Sequence, residues 1–488
     1  MTRIYYSDYG AVGDGVTDDF DAIIKAHAAA NQSTDPNVTV CADEGAIYYI
    51  SGANQAENDE NGNSKSALIQ TNTDWADAKF IIDDREVASR YTHIFRVESK
   101  HSVINMAVES QAVRKNQEKF TFGSATDFEL QTALISLTDK TTMRYIREGP
   151  NQDNGSPQTD IFIIDKDGNI DMSTPVIWDF DAVTSLTVHP IDTVPLAISG
   201  GHFTTIANQA ESKYNYYSRG ISITRSNVVI DGLYHDITGE LDHGAPYSGF
   251  LSISECANVT VRNCNLSAHK TYETIGSANV PVRMGTYDIT VNNAIDVKFM
   301  NCRQLNDIHD TDLWGIFASN HSKNLLFDTV NFSRFDAHMG VHNAVIRNSI
   351  LGHMGINLIG GGMFLLENSK VYGYSLINLR EDYGSTWNGE IIVRDCEYTP
   401  RNGKPSNAVL ISGRNSGHHN FGYTCYMPHK VSIDGLIIDD CNHPAEYSGP
   451  RLFGDFRHDK QNAKYAYEMT RELHIKNVTV KSGLELIF

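Results

Sequence analysis

The chain has 488 residues, 41% of them hydrophobic. That supplies one large core or several ordinary ones and excludes the disordered, collagen-like and disulfide-stapled classes. Lys and Arg number 40 against 60 Asp and Glu, a formal charge of -20, which argues against binding nucleic acid or an anionic membrane by net attraction but leaves room for a local basic pocket facing an acidic ligand.

The opening "MTRIYYSDYGAVGDG" is polar almost from the start, unlike a secretory signal, and no run of about 18 apolar residues marks a membrane-spanning helix. Within "YGAVGDGVTDDFDAIIKAHAAAN", Gly10, Gly13 and Gly15 predict tight turns with positive φ, and Thr17 stands as a helix N-cap ahead of Asp18 and Asp19. Phe20, Ile23, Ile24 and Ala28 then mark one face of a short amphipathic helix. The glycine spacing fits neither nucleotide-binding fingerprint and no Gly-Lys-Ser/Thr follows, so residues 1–35 read as a turn and a helix capping a solenoid end. Residues 36–215 read as a β-rich insertion leading into the first rungs, in which "TDIFIIDKDGNIDM" predicts a hairpin around Asp167-Gly168 and "NQDNGSPQ" a loop.

From residue 216 onward the sequence repeats. Apolar strands ending in polar turns recur as "NVVIDGLY" from Asn227, "NVTVRNC" from Asn258, "DVKFMNC" from Asp296, "NLLFDTV" from Asn324, "NAVIRNS" from Asn343, "MFLLENS" from Met363, "EIIVRDC" from Glu390 and "KVSIDGLIIDDC" from Lys430. A spacing of about 20 residues, stretching to about 40 where loops intervene, is that of one strand-and-turn unit per rung. Val, Ile and Asn dominate and heptads are absent, so the rungs are β, and each buries its apolar face only by stacking on the next. Residues 216–400 are expected to form the central β-helix with the functional groove and residues 401–488 the last rungs and loops, where "DKQNAKYAYEMTRELHIKNVTVKSG" gives a loop or short helix and a final strand. Cys264, Cys302, Cys396 and Cys441 each close a similar strand; with seven cysteines in all and no Cys-x-x-Cys pair, they read as small buried side chains. The expected class is all-β, a parallel β-helical solenoid with an N-terminal capping helix.

The stretch "DYGAVGDGVTDDFDAI" resembles the N-terminal signature of the pectate-lyase-like superfamily, and the repeats extend the resemblance from about residue 220 to the C-terminus. The resemblance implies a single-stranded right-handed parallel β-helix, a fold found in polysaccharide lyases, glycoside hydrolases and phage tailspikes.

Equivalent positions on stacked rungs lie about 4.8 Å apart on one face, so polar turns can be aligned. Aligning "NLSAHKTY", "QLNDIHDTDLWG", "NFSRFDAHMG" and "SILGHMG" places His269, the His309 to Asp312 segment, Asp336 with His338, and His353 on neighbouring turns. The next strands bring Phe317, His342, Asn357 and Asn378 into one outward row, with Arg380, Glu381 and Asp382 at its end. His and Asn also fill tight turns by capping backbone groups, but this density of histidines, acids and an arginine exceeds that need. Asp310, Asp312 and Asp336 can supply the acid and base of glycosidic hydrolysis or, with histidines, hold a divalent cation; His338, His342 and His353 assist or ligate, and Arg380 stabilises negative charge. A lyase instead needs a base beside a neutralised carboxylate, for which Arg283, Arg334 or Arg380 would serve. Substrate contacts are expected from His269, Lys270, Arg283 and Tyr287 in one long insertion, from Trp314, Arg334 and Asn357 on the rungs, and from Asp382, Tyr383 and Trp387 beyond them.

The runs "SRFDAHMGV", "LREDYGSTWNG" and "GHFTTIANQ" resemble β-helical pre-neck appendage proteins and related tailspike depolymerases of phages that infect Gram-positive bacteria. That resemblance implies depolymerisation of a cell-surface polysaccharide or teichoic-acid-like polymer, extracellular or virion-associated, often by a homotrimer; no catalytic residue carries over from it. The Asp- and His-rich turns are also similar to mannuronan epimerase β-helices, whose strict motif is absent. Hydrolysis is the leading expectation. Lyase or epimerase action on a uronate polymer, and a non-catalytic receptor-binding spike, stand beside it.

Overall fold

The computed structural model describes residues 2–52, 65–87, 91–106, 112–122, 131–212, 216–401, 408–456 and 465–488. The repeats fold as stacked parallel strands. Leu196, Val228, Val259, Val297, Leu325, Ala344, Phe364, Ile391 and Val431 lie opposite one another in a single register column. No side chain in that column is more than 2% exposed, so the period-two alternation of each strand directs one set of residues into a continuous core. The result is an all-β, right-handed parallel β-helix with one short α-helix near the N-terminus.

Polar turns fix the corners. Asn263, Asn301, Asn348 and Asn368, from "VRNC", "FMNC", "IRNS" and "LENS", all take left-handed backbone (φ +55°, +52°, +53° and +46°), which Asn tolerates because its short amide bonds locally. Their amides form ladders: Asn263 Nδ2 donates to Asp231 Oδ1 at 2.7 Å, and Asn301 Nδ2 donates to Asn263 Oδ1 at 2.7 Å. Cys264, Cys302 and Cys396 follow these turns into the core, but Cys441 is exposed, and all seven cysteines are free thiols.

The N-terminal helix is Phe20–Asn31, and its N-cap is Asp19 instead of Thr17. Residues Asp14–Asp18 form a strand, so Thr17 bonds to Asp14, while the Asp19 carboxylate accepts from the backbone of Val12 and Gly13. Gly10, Gly13 and Gly15 do have positive φ. The buried helix face runs through Phe20, Ile23, Ala26, His27 and Ala30; Ala28 points to solvent. Parallel pairing starts at Arg3–Tyr5, which lies against Thr39–Cys41.

A four-stranded antiparallel sheet, Ile104–Met106, Ala133–Arg144, Ser156–Ile164 and Ser185–Pro190, interrupts the rungs. Leu134, Ile161 and Ile163 dock it on Ala257 and Ile295 of the solenoid, and Lys323 Nζ meets Asp160 Oδ1 at 2.7 Å with both side chains almost fully buried. The turn at Asp167-Gly168 closes through an antiparallel bridge from Ile164 to Ile170, but the return does not continue as a strand. Of the predicted C-terminal loop, residues 457–464 lie outside the described residues, and the final strand is Glu472–Val480. Among the described residues no helix is long and apolar enough to cross a membrane.

Candidate functional site

Strand Asn331–Arg347 crosses two faces of the solenoid. Phe335 and Ala337 point into the core with no exposed surface, so Asp336 and His338 face outward by alternation. Asp336 lies opposite Asn357, and Asn357 opposite Asn378, which in turn faces Ser412. The row is knitted by side-chain bonds, Asn378 Nδ2 to Asn357 Oδ1 at 2.7 Å and Ser412 Oγ to Asn378 Oδ1 at 3.0 Å. Phe317 does not belong to it: the side chain is in the core. His342 is also absent, aligned instead with Lys323 and Gly361 around the corner. Parity turns Phe317 inward, and the corner at Gly340 (φ +73°) carries His342 onto another face.

Asp336 is the centre of an ion cluster. Its carboxylate takes Arg334 Nη2 at 2.8 Å, Arg380 Nη1 at 3.2 Å and the Tyr287 hydroxyl at 3.1 Å. Arg380 also donates to Asp382 at 2.7 Å, and Arg147 reaches Asp382 at 2.8 Å from the inserted segment. The Arg334 guanidinium lies 5.2 Å from the Trp314 ring centre and the Arg380 guanidinium 5.0 Å from that of Tyr383. Within the ion-paired cluster three guanidiniums meet two carboxylates, and the Asp153 carboxylate lies at its edge on the Arg147 backbone N–H. Burial pushes the Asp336 carboxyl up, but Arg334 and Arg380 outweigh it and hold the group below the usual carboxylate range. Asp382, where burial is again outweighed by Arg380 and Arg147, is pulled down to about 2.

His338 stands beside this cluster in the opposite protonation state. Burial first, and then Arg380, push its imidazole down to about 3, so it is neutral near neutral pH. Its Nδ1 lies 3.0 Å from Asn320 Oδ1, and Asn320 uses its Nδ2 to donate to Asn292 Oδ1 at 2.7 Å. The Asn320 oxygen is therefore the acceptor, which puts the His338 proton on Nδ1 and leaves a lone pair on Nε2. Asn320 and Arg147 escaped the sequence reading. Asn320 sits in the run "GIFASN", but only the folded register brings it to His338, and Arg147 comes from the insertion with no repeat signal to betray it.

The other predicted residues lie elsewhere. Asp310 and Asp312 occupy an exposed loop, where Asp310 accepts the backbone N–H of Asp312 and the Asp312 side chain is 92% exposed, 3.8 Å from Arg283. Neither contacts Asp336, His338 or Arg380. Lys270 is exposed beside Glu240. His353 is buried, and its Nδ1 donates to the carbonyl of Ile308, which anchors that loop. His269 is 1% exposed; it and His235 flank Asp288 at 3.0 and 2.9 Å in an interior network. Trp387 is fully buried against Phe364, so it presents no ring face to a ligand. A divalent cation finds no ligand set here: Asp336 is saturated by arginines, and among the described residues no group of three or more His, Cys, Asp or Glu is placed to hold a metal ion.

Acid is expected to weaken the fold. Burial pushes His27 and His338 down to about 3, and His321 and His342 down to about 4. Once unfolded, such imidazoles take up protons near about pH 6.5. The unfolded state then binds more protons, so stability falls as pH drops from about 6.5 towards 3. His269 acts in the other direction, since Asp288 overcomes burial and raises it. The urea midpoint should fall between about pH 7 and about pH 4.5; a midpoint that holds or rises would contradict the burial of neutral imidazoles.

No family model and no curated protein sequence matches the chain. Solved structures do. The tailspike gp61 of Pseudomonas phage phi297 superposes with a TM-score of 0.54 at 13% identity, covering 98% of this chain and 80% of that one. The tailspike gp49 of Pseudomonas phage LKA1 gives 0.50 at 12% identity over 98% and 81%. The gp54 tailspike of Acinetobacter baumannii bacteriophage AP22, solved with A. baumannii capsular saccharide, gives 0.49 at 11% identity over 98% and 76%. At these identities the likeness is one of fold, and the fold this chain has in common with the tailspikes is the right-handed parallel β-helix.

Proposed function

We propose that the outward face around Asp336 and His338 binds and cleaves an acidic surface polysaccharide, and that the cut is an elimination. The observation that carries this is the pairing of a neutral imidazole, with a free Nε2 lone pair, and a cluster of three arginines. In an elimination at a uronate, His338 removes the proton α to the carboxylate while arginine charge stabilises the anion that develops. The electron pair forms the new carbon–carbon double bond, the glycosidic oxygen leaves, and the imidazolium returns its proton to that oxygen.

Hydrolysis by paired carboxylates has weaker support. It needs one carboxyl kept protonated, whereas Asp336 and Asp382 are both held ionised. The tailspike fold fits an extracellular or virion-associated setting, and trimerisation belongs to the same proposal. Mass spectrometry of products from a panel of acidic, neutral and phosphate-linked polymers tests it. Elimination adds no water per cut and creates an ultraviolet-absorbing unsaturated end. A water added at each cut would replace it with hydrolysis, and bound but unshortened chains would make the protein an adhesin or an epimerase.

A further inference from the structure

The inserted antiparallel sheet does not lie flush on the solenoid. Between them opens a cavity of about 300 Å³, at the small end of the range for small-molecule sites. Its solenoid wall is the register column Lys323, His342, Gly361 and Asn388. Gly361 contributes only backbone, so the wall is recessed there. Tyr145 and Trp178 of the insertion face it, and Tyr423 and Tyr426 close the side. Tyr145 also separates this cavity from the ion cluster, since its ring packs on His321 on one side and on Tyr383, the neighbour of His338, on the other.

The polar groups of the cavity divide into two sets. Arg144 is committed to Gln158 and the carbonyl of Gly422, and Lys323 to Asp160. The imidazoles of His321 and His342 have no hydrogen-bond partner among the described residues. Each is held neutral by burial and so presents one donor and one acceptor. Asn388 adds an amide, and Lys115 stands at the exposed rim with its ammonium in no ion pair among the described residues, while its backbone N–H donates to Asp179 Oδ1 at 2.9 Å. With Arg144 spent on the neutral oxygens of Gln158 and Gly422 and the Asp179 carboxylate in the same lining, a phosphate-rich ligand would find too few cationic donors. A wholly apolar ligand would leave both imidazoles unsatisfied. Aromatic rings around paired donor and acceptor groups suit the hydroxyls and C–H faces of a sugar.

We infer that this cavity is a second carbohydrate site, which takes a single pyranose ring and favours one bearing a carboxylate near Lys115. It goes beyond the cleaving face and gives the protein a hold on its polymer that is independent of the cut.

Saturation-transfer NMR with glucose, galactose, N-acetylglucosamine and glucuronate tests it directly. At least one sugar should bind, and Asn388→Trp, which fills the cavity, should abolish that binding with the circular dichroism spectrum unchanged. Lys115→Ala, on the exposed rim, should weaken glucuronate several-fold and leave neutral sugars alone, which keeps the test valid if Asn388→Trp fails to fold. His338→Ala should lose cleavage and keep sugar binding. Binding of none of the four sugars, or binding indifferent to both cavity variants, overturns the site. Loss of sugar binding in His338→Ala would also overturn it, by placing the sugars on the cleaving face.

Discussion

His338→Ala is expected to lower turnover on the protein's polymer by about 10²- to 10⁴-fold, the usual range for removing a general base, with little change in stability. The side chain is half-buried, and its one hydrogen bond among the described residues is to Asn320. Asn320→Ala should cost less, because it frees the imidazole to adopt the other tautomer without removing it. The pH dependence separates a base from a merely structural histidine. The active form is the neutral one, so the acid limb of kcat/KM should lie far below the ordinary histidine range, consistent with an imidazole pushed down to about 3. Unchanged turnover in His338→Ala would remove this residue from the chemistry, and an acid limb near about pH 6.5 would remove the buried, arginine-flanked imidazole as its cause.

Asp336→Asn should be the most destabilising single change at the site, by about 3–5 kcal/mol, the range for breaking a buried ion pair by removing one partner. The substitution keeps the volume and the bond to Tyr287, so the loss would be one of charge. Arg334 and Arg380 would remain desolvated, and Arg334 already has two buried nitrogens without a partner. Denaturant unfolding measures the loss. The double variant Arg334→Leu with Asp336→Asn should recover a good part of it, because one charge of each sign is then gone. A stability loss under about 1 kcal/mol in the single variant would mean that the cluster is solvated and its charges screened. Turnover should fall in both variants, since the arginine face is built on this carboxylate.

The rungs were legible in the sequence because alternation and turn chemistry are local: "NVTVRNC" carries its own strand, its left-handed Asn and its buried Cys. Asn357, Asn378 and Arg380 could be drawn together for the same reason, by counting residues from one turn to the next, but the same count set Asp336 beside His353 and gave its place in the row to His342. The count failed where a corner intervenes. Gly340 takes left-handed backbone between Asp336 and His342 within the one strand, so His342 belongs to another face than its spacing implied. Trp387 reads as a loop aromatic in "GSTWNG" but begins a strand beside Gly360, and its indole bonds to the carbonyl of Gly362. Arg147 had no local signature at all, since it meets Asp382 across 235 residues of chain.

The parallel register carries a consequence for how such a chain can change length. Deleting one residue of strand Asn331–Arg347 ahead of Phe335, with the upstream ladder kept, would turn Asp336 and His338 inward and send Phe335 and Ala337 to solvent. Removing a whole turn of the coil would leave every remaining ladder able to re-form and move the groups on either side of the cut closer by one step of about 4.8 Å. Tolerated insertions and deletions thus fall mainly into complete turns along the axis and loop growth at the corners, beside single-residue bulges such as those at Ala337/Met339 and His342/Ala344. The distances from one polar group to the next along the outer face form a discrete scale, and a change of specificity can proceed along it in whole steps.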